Sequence, residues 1–213
     1  PNLRSVGTRP FLYLYGPEPP AKGCGNGPCQ EKWIHMSNRY LEMCLKVDPK
    51  LEWVHLFGEA NARWFRSGAN ASDYTGFFNK WAAETKKRFP QLKLGGPVTW
   101  GKPTYGAGWD GWCLQLMQES HDHLDFLDWH SYNPGPGQLE GDIHAVSGFM
   151  LQRHGKRIRN ALTETNYGVG SRDNWHDPAV HYRRRAIPMM RQTFELLRHP
   201  DKIFSRQFHD YAA

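Results

Sequence analysis

The sequence has no long hydrophobic run. No stretch of its 213 residues approaches the roughly 18 consecutive apolar residues of a transmembrane helix, so we predict no membrane partner. No apolar segment typical of a signal peptide follows Pro1. Because the chain begins with proline and not methionine, we expect a processed product or an internal fragment of a longer protein, which carries no cellular address of its own.

Cysteine is scarce, with four residues in the whole chain. That number is too small for the disulfide framework of a compact secreted domain. Cys24 and Cys29 share a glycine-rich loop and are placed to form a disulfide if the protein is secreted. A zinc site would need a second pair at suitable spacing, and Cys44 and Cys113 have the surroundings of buried thiols instead. We therefore predict no metal site and leave the compartment open.

Two motifs of nucleotide and ester chemistry are missing. No glycine fingerprint of a dinucleotide or phosphate loop follows the first predicted strand, which weighs against a nucleotide-binding sheet and against a cofactor. No Gly-x-Ser-x-Gly elbow occurs, so a Ser-His-Asp hydrolase is a weak alternative.

The run His121-Asp122-His123 looks like metal ligands, but neighbours two apart do not share a helix face, and we interpret the run as a solvated helix end.

The charge balance is basic, with a formal net charge of +6 at pH 7. Such a charge suits an anionic partner, for example a sulfated polysaccharide. A nucleic-acid-binding domain is the rival interpretation, but the densest basic run, residues 183–185, falls inside a predicted helix, where a solvated face is the usual meaning. We therefore predict no nucleic-acid partner.

Aromatic residues are abundant, at 14% of the chain. Most such rings fill cores, but rings in loops beside polar residues are suited to stack on sugar faces. The candidates in or beside predicted loops are Trp100, Trp109, Trp112 and Trp175. We expect one or two of them to line a sugar cleft and the others to be packing residues.

Strand-like apolar runs and amphipathic helical stretches alternate along the chain. The predicted strands are 9–16, 53–58, 92–98, 125–132, 160–164 and 203–211, and the predicted helices are 31–47, 73–88, 111–124, 141–154 and 178–198. This alternation predicts an α/β fold with a parallel sheet. A complete (β/α)8 TIM barrel has two more strands and about 250 residues. We therefore predict one catalytic barrel domain over residues 1–213, comprising about strands 3 to 8 and lacking the first two βα units.

Two glutamates stand at the ends of predicted strands. Glu59 follows the apolar run 53–57 and Gly58, and Glu164 follows the run 160–163. Barrel enzymes build their active sites at the carboxyl ends of the strands. A retaining glycosidase needs one protonated carboxyl to assist the leaving oxygen and one ionised carboxylate to attack the anomeric carbon, about 5–5.5 Å apart. Either glutamate alone suggests a salt-bridge partner, whereas the pair favours this chemistry.

The segments FGEANARW, DWHSYNPG and LTETNYG resemble clan A, the superfamily of retaining glycoside hydrolases with (β/α)8 barrels. Within it they are most similar to the β-agarases and β-porphyranases of glycoside hydrolase family 86. The superfamily has its acid/base Glu after the fourth strand and its nucleophile Glu after the seventh. The resemblance therefore implies Glu59 as acid/base and Glu164 as nucleophile. It also implies a Tyr near the nucleophile on the sixth strand, which Tyr132 matches, with His130 beside it.

One position departs from the superfamily pattern. The residue before the acid/base is usually Asn, and here it is Gly58, so Asn61 is the candidate to supply the missing amide to the sugar 2-hydroxyl. Asp128 precedes His130 by two residues and is placed either to hold an imidazole in one tautomer or to make a structural hydrogen bond. The predicted substrate-binding residues are Asn61, Trp100, His130, Tyr132, Asn166 and Trp175.

The function implied by the resemblance is endo-hydrolysis of a β-linked galactan, agarose or porphyran, by a secreted or periplasmic enzyme. Its substrate is then a polysaccharide, sulfated galactans included, and it needs no cofactor. Two alternatives remain at this stage. One is a clan A glycosidase acting on xylan, mannan or glucan, and the other is a non-catalytic carbohydrate-binding barrel fragment.

Overall fold

The computed structural model describes residues 10–14, 28–62, 68–105, 108–132 and 134–164, together with 190–191, 194, 198 and the backbone of 165–166 and 203–208. The elements in chain order are β1 (Phe11–Leu14), α1 (Pro28–Val47), β2 (Trp53–Leu56), α2 (Ala71–Arg88), β3 (Lys93–Thr99), β4 (Thr104–Tyr105), β5 (Gly108–Trp109), α3 (Gly111–Glu119), β6 (Phe126–Tyr132), α4 (Gln138–His154), β7 (Arg159–Asn166) and β8 (Ile203–Phe208). Among these residues no helix is long and apolar enough to cross a membrane.

Six of the strands form one parallel sheet, in the order β1-β2-β3-β6-β7-β8. The short strands β4 and β5 form a separate antiparallel pair. Parallel neighbours need crossover connections, which α1, α2, α3 and α4 supply between successive strands of the sheet from β1 to β7. Strands that follow one another in both sequence and space, with helices between them, are the topology of a (β/α)8 barrel. The predicted α/β fold, an incomplete TIM barrel, is confirmed.

The two faces of the sheet belong to different hydrophobic clusters. The larger cluster lies between sheet and helices and includes Val54, Leu56, Leu127 and Trp129. A smaller cluster consists of Trp53, Phe126 and Ala161, with Phe11 packed against it. Because side chains alternate along a strand, β2 and β6 contribute to both clusters. The smaller cluster therefore forms the inner layer of the barrel, on the face away from the helices.

Helix α2 shows how local sequence sets a boundary. The helix predicted from residue 73 starts two residues earlier, at Ala71, and its N-cap is Asn70. The Asn70 side chain accepts a hydrogen bond from the backbone N–H of Asp73, and Asp73 Oδ2 accepts one from the N–H of Asn70. This reciprocal pair is a capping box, and it satisfies two of the N–H groups that a helix start leaves open.

Other boundaries differ by a few residues. Helix α1 starts at Pro28 and not 31, α3 ends at Glu119 and not 124, and α4 starts at Gln138 and not 141. The early end of α3 places residues 121–123 in a turn. The β4–β5 hairpin was not predicted, because strands of two residues leave no periodicity to detect.

Several sequence predictions fall outside the described residues. These are the loop 18–27 with Cys24, most of the predicted helix 178–198, and residues 209–211 of the last predicted strand. Of the other cysteines, Cys29 is disulfide-bonded, whereas Cys44 and Cys113 are free thiols, the first half-buried and the second buried.

Candidate active site

The carboxyl edge of the sheet brings together three side chains from distant parts of the sequence. Glu59 follows the end of β2, His130 lies near the end of β6, and Glu164 lies near the end of β7. One imidazole nitrogen of His130 and one carboxylate oxygen from each glutamate all lie within 4.8 Å of one another. The two predicted catalytic glutamates are therefore neighbours in space, and the carboxylate oxygens that approach each other are far closer than the roughly 10 Å at which pairing would fail.

His130 lies between the two carboxylates. Its Nδ1 is 3.5 Å from Glu59 Oε1 and 3.5 Å from Glu164 Oε2. The imidazole is only 2% exposed, and Nδ1 makes no hydrogen bond. The glutamate side chains are more accessible, at 27% for Glu59 and 20% for Glu164. The carboxylates thus line an opening to solvent, with the imidazole buried behind them.

Tyr132 contacts the predicted nucleophile directly. Its hydroxyl donates a hydrogen bond to Glu164 Oε2. The ring of Tyr132 is nearly perpendicular to that of His130, with the centroids 6.3 Å apart. A hydroxyl donor on a carboxylate is a strong, charge-assisted contact that fixes the orientation of the acceptor. Tyr132 therefore holds Glu164 in a defined position.

A buried polar network lies on the same three strands, one layer below the glutamates. His55 Nδ1 on β2 is hydrogen-bonded to Asp128 Oδ2 on β6, and Thr163 on β7 donates from Oγ1 to Asp128 Oδ1 at 2.5 Å. All three side chains are buried, and the rings of Phe11 and Tyr13 pack edge-on against His55. Of the two roles that the sequence left open for Asp128, the structure shows a hydrogen bond to an imidazole, that of His55.

His55 was missed in the sequence. The sequence did contain a signal for it, a histidine inside the apolar run Trp53–Leu56. Because side chains alternate between the two faces of a strand, His55 lies on the same face as Trp53. A lone histidine in such a run does not identify its partner. The partner Asp128 lies 73 residues away in the chain, so only the pairing of strands reveals the network.

Asn61 connects the segment of Glu59 to the loop after β3. Its Oδ1 accepts a hydrogen bond from the backbone N–H of Trp100 at 2.8 Å, and its side chain also bonds to Asp110. Burial raises the pKa of the Asp110 carboxyl, although the backbone N–H groups of Cys113 and Trp112 and the amide of Asn61 oppose that shift. The structure therefore gives Asn61 a structural role, and a contact to the sugar stays a prediction.

Exposed aromatic rings stand on this loop. Trp100 is 61% exposed and Tyr105 is 50% exposed, whereas Trp109 and Trp112 are partly buried against the core and act as packing residues. Burial also raises the pKa of the Tyr105 hydroxyl. Of the remaining predicted site residues, Asn166 ends β7 in register with Tyr132, and Trp175 lies outside the described residues.

Gly58, at the position where the superfamily has Asn, has no room for a side chain. A Cβ built on Gly58 would lie 1.2 Å from the hydroxyl oxygen of Tyr13 and 2.4 Å from its Cζ. The residues on either side, Phe57 and Glu59, have positive φ angles of 57° and 51°. Such angles are costly for residues other than glycine and concentrate at functional sites. The phenol of Tyr13 therefore occupies the space that an amide side chain would take.

This contact makes a prediction about stability. We expect Gly58→Ala to lower the free energy of unfolding by about 1–3 kcal/mol, because the new methyl group overlaps the Tyr13 ring. Tyr13→Leu should recover about half or more of that loss in the double variant, since the two sites are in contact. Urea denaturation of the four proteins measures both quantities.

A glycine in open space is the matched control for this series. Gly76 lies inside α2 with nothing within 4 Å of a built Cβ, so Gly76→Ala should raise stability by about 0.5–1 kcal/mol. A Gly58→Ala protein as stable as the parent would contradict the overlap with Tyr13.

Comparison with known proteins identifies the fold. No protein-family model matches the sequence, and no curated protein sequence matches it. Among solved structures, a family GH39 enzyme from Xanthomonas axonopodis pv. citri matches with a TM-score of 0.69 and 18% identity, covering 98% of this chain and 45% of that one. A monomeric β-xylosidase from Caulobacter crescentus matches with a TM-score of 0.68 and 19% identity, over 98% of this chain and 46% of that one.

A third match belongs to the family that the sequence resembled. A β-porphyranase of glycoside hydrolase family 86 from Bacteroides plebeius matches with a TM-score of 0.60 and 14% identity, over 74% of this chain and 31% of that one. The structural neighbours are thus glycoside hydrolases, and at these identities they show the fold alone. The family GH39 structures superpose on more of the chain, so the specific resemblance to family 86 stays a prediction. The chain spans less than half the length of these neighbours.

Proposed function

We propose that this chain forms part of the catalytic barrel of a retaining endo-glycoside hydrolase, with Glu59 as acid/base and Glu164 as nucleophile. The observation that carries the proposal is the meeting of two strand-end glutamates at the carboxyl edge of the sheet, where a carboxylate oxygen of one lies within 4.8 Å of a carboxylate oxygen of the other. Retaining enzymes have carboxyl groups about 5–5.5 Å apart, whereas inverting enzymes need about 6.5–9.5 Å to admit a water. The short separation favours the retaining mechanism.

The order of the strands supports the assignment of roles. In the sheet, β2 and β7 are separated by β3 and β6, which is the spacing of a fourth and a seventh barrel strand. The superfamily pattern then assigns the acid/base to Glu59, after β2, and the nucleophile to Glu164, on β7. The hydrogen bond from Tyr132 to Glu164 agrees with this assignment, because a nucleophile must be held at a fixed position relative to the anomeric carbon.

The reaction then proceeds in two displacements. Glu164 attacks the anomeric carbon while Glu59 transfers its proton to the departing glycosidic oxygen, and a covalent glycosyl ester forms on Glu164. Glu59, now ionised, removes a proton from water, and the oxygen of that water displaces the ester and regenerates Glu164.

For the substrate we propose a β-linked galactan, agarose or porphyran. The net charge of +6 suits a sulfated chain, and the exposed ring of Trp100, whose backbone N–H donates to Asn61, offers a stacking platform. Asn61, Tyr132, Asn166 and Trp175 are the other proposed substrate contacts. His130 was also predicted to bind the substrate, but its imidazole is 2% exposed and lies behind the glutamates, so we propose that it acts on the substrate only through them. A polysaccharide is too large to enter a cell intact, so we also propose a secreted or periplasmic location, to which the disulfide at Cys29 is suited.

A substrate panel with a stereochemical readout tests the proposal. We expect the enzyme that contains this chain to cleave agarose or porphyran in preference to xylan, β-mannan and β-glucan. NMR at early times should show the β-anomer of the product first, because two displacements retain configuration. Initial formation of the α-anomer would contradict the retaining mechanism, preference for xylan would redirect the substrate assignment, and binding without cleavage of any substrate would support a carbohydrate-binding fragment.

A further inference from the structure

The arrangement of His130 leaves a buried nitrogen facing two carboxylate oxygens without a hydrogen bond. Nδ1 of this 2% exposed side chain has no hydrogen-bond partner, yet Glu59 Oε1 and Glu164 Oε2 are each 3.5 Å away. A buried polar atom without a partner is costly and calls for an explanation, of which a bound ion is one. A cation placed among the three atoms would give His130 Nδ1 a partner.

The distances fit a small divalent cation. Zinc bonds to imidazole nitrogen and carboxylate oxygen at about 2.0–2.2 Å, so two ligands of a tetrahedral ion lie about 3.3–3.6 Å apart. Two of the three ligand pairs around His130 are at 3.5 Å, and all three atoms lie within 4.8 Å of one another. The remaining pair, the two carboxylate oxygens, lies within 4.8 Å and would close as these partly exposed side chains turn toward the cation.

We propose that Glu59, His130 and Glu164 form a binding site for a divalent transition-metal cation of the zinc type. Calcium and magnesium prefer sites made entirely of oxygen, whereas an imidazole with two carboxylates suits zinc and its neighbours. Three protein ligands leave the fourth position open to water. The Tyr132 hydroxyl orients Glu164 from outside the site, as second partners of metal ligands commonly do. This site departs from the sequence prediction of no metal.

A bound cation would change the chemistry at the carboxyl edge of the sheet. A cation held by Glu59 and Glu164 removes both the carboxylate that attacks and the carboxyl that donates the proton, so it acts as a reversible inhibitor. That consequence rests on the proposed function. Binding of the cation rests only on the three side chains and does not require glycosidase activity, so the two can be tested separately.

Calorimetric titration of the chain with zinc chloride, in the absence of any glycoside, tests the binding site. We expect one site whose affinity falls by at least about 100-fold in His130→Ala and in Glu164→Gln, because each removes a direct ligand. Titration with Co²⁺ should give the visible absorption of a low-symmetry site, and the same variants should abolish it. Circular dichroism of each variant establishes that it is folded.

Exposed histidines are the usual source of adventitious zinc binding, so the control is a surface pair. His144 and Glu140 on α4 lie one helical turn apart at 3.7 Å and are exposed. His144→Ala should leave the zinc affinity within about 2-fold of the parent, as expected of a residue remote from the ligands. Unchanged zinc affinity in Glu164→Gln, or loss of zinc binding in His144→Ala, would overturn the proposal. If His130→Ala does not fold, the result with Glu164→Gln decides between the two outcomes.

The activity readout separates the inhibition from the proposed function. If the enzyme hydrolyses a β-glycan, zinc should inhibit it and a chelator should restore the rate. Hydrolysis that saturating zinc leaves unaffected would overturn the inhibitory role. If no β-glycan is hydrolysed, the proposed function fails while the titration still decides the cation site.

Discussion

Glu164→Ala is expected to abolish turnover of every glycoside by the enzyme that contains this chain. Glu59, the other carboxylate at this edge, is assigned to proton transfer, and His130 is buried behind the carboxylates, so we expect neither to replace the nucleophile. The loss should exceed the roughly 10²–10⁴-fold that removal of a general acid–base costs. Added azide can then only replace the nucleophile itself, so any product should be the inverted α-glycosyl azide, which NMR identifies.

Glu59→Ala should behave differently, and the difference assigns the two roles. Hydrolysis of the natural polysaccharide should fall by about 10²–10⁴-fold, but an aryl glycoside with a good leaving group needs little protonation and should still form the covalent intermediate. Azide needs no general base, so it should rescue this variant and give the β-glycosyl azide of retained configuration.

The exposed Glu84 on α2 provides a control, because its side chain is 52% exposed and pairs with Lys87 one turn away. Glu84→Ala should leave both rates unchanged. Swapped azide products would reverse the assignment of acid/base and nucleophile, and rescue in neither variant would remove its support.

Asp128→Ala is expected to cause the largest loss of stability, about 3–5 kcal/mol. Asp128 is fully buried and accepts hydrogen bonds from both His55 and Thr163. Its removal leaves two buried polar groups without their partner inside the barrel, where water does not replace it. Chemical denaturation measures the change, and Asp122→Ala is the matched control.

The control and a double variant make this test discriminating. The side chain of Asp122 is 84% exposed, so its removal should change stability by no more than about 0.5 kcal/mol. Replacing His55 and Asp128 together by leucine should cost less than Asp128→Ala alone, because only the Thr163 hydroxyl then loses its partner and the buried imidazole is gone. A loss below about 1 kcal/mol in Asp128→Ala would show that the network does not stabilise the fold.

Local sequence determined the elements of this fold. Apolar runs such as Trp53–Leu56 and Phe126–Tyr132, separated by amphipathic helices, predicted a parallel sheet, and the structure has it. The same runs located the two glutamates, because a strand end is visible where an apolar run stops. Which residues share the carboxyl edge then followed from the parallel topology, so the meeting of Glu59 and Glu164 was predictable without coordinates.

Contacts between strands were decided only by the tertiary structure. The sequence shows Gly58 as a departure from a pattern, but not that the Tyr13 phenol fills the space above it. It shows His55 and His130 as isolated histidines, but not that one bonds to Asp128 while the other faces two carboxylates. These relations depend on the lateral register of β1, β2, β6 and β7, which brings residues far apart in the chain to within a few ångströms. The periodicity of one segment indicates which face of the sheet a side chain lies on and where its strand ends. It does not indicate the distance to a side chain on another strand, and the chemistry of this site depends on that distance.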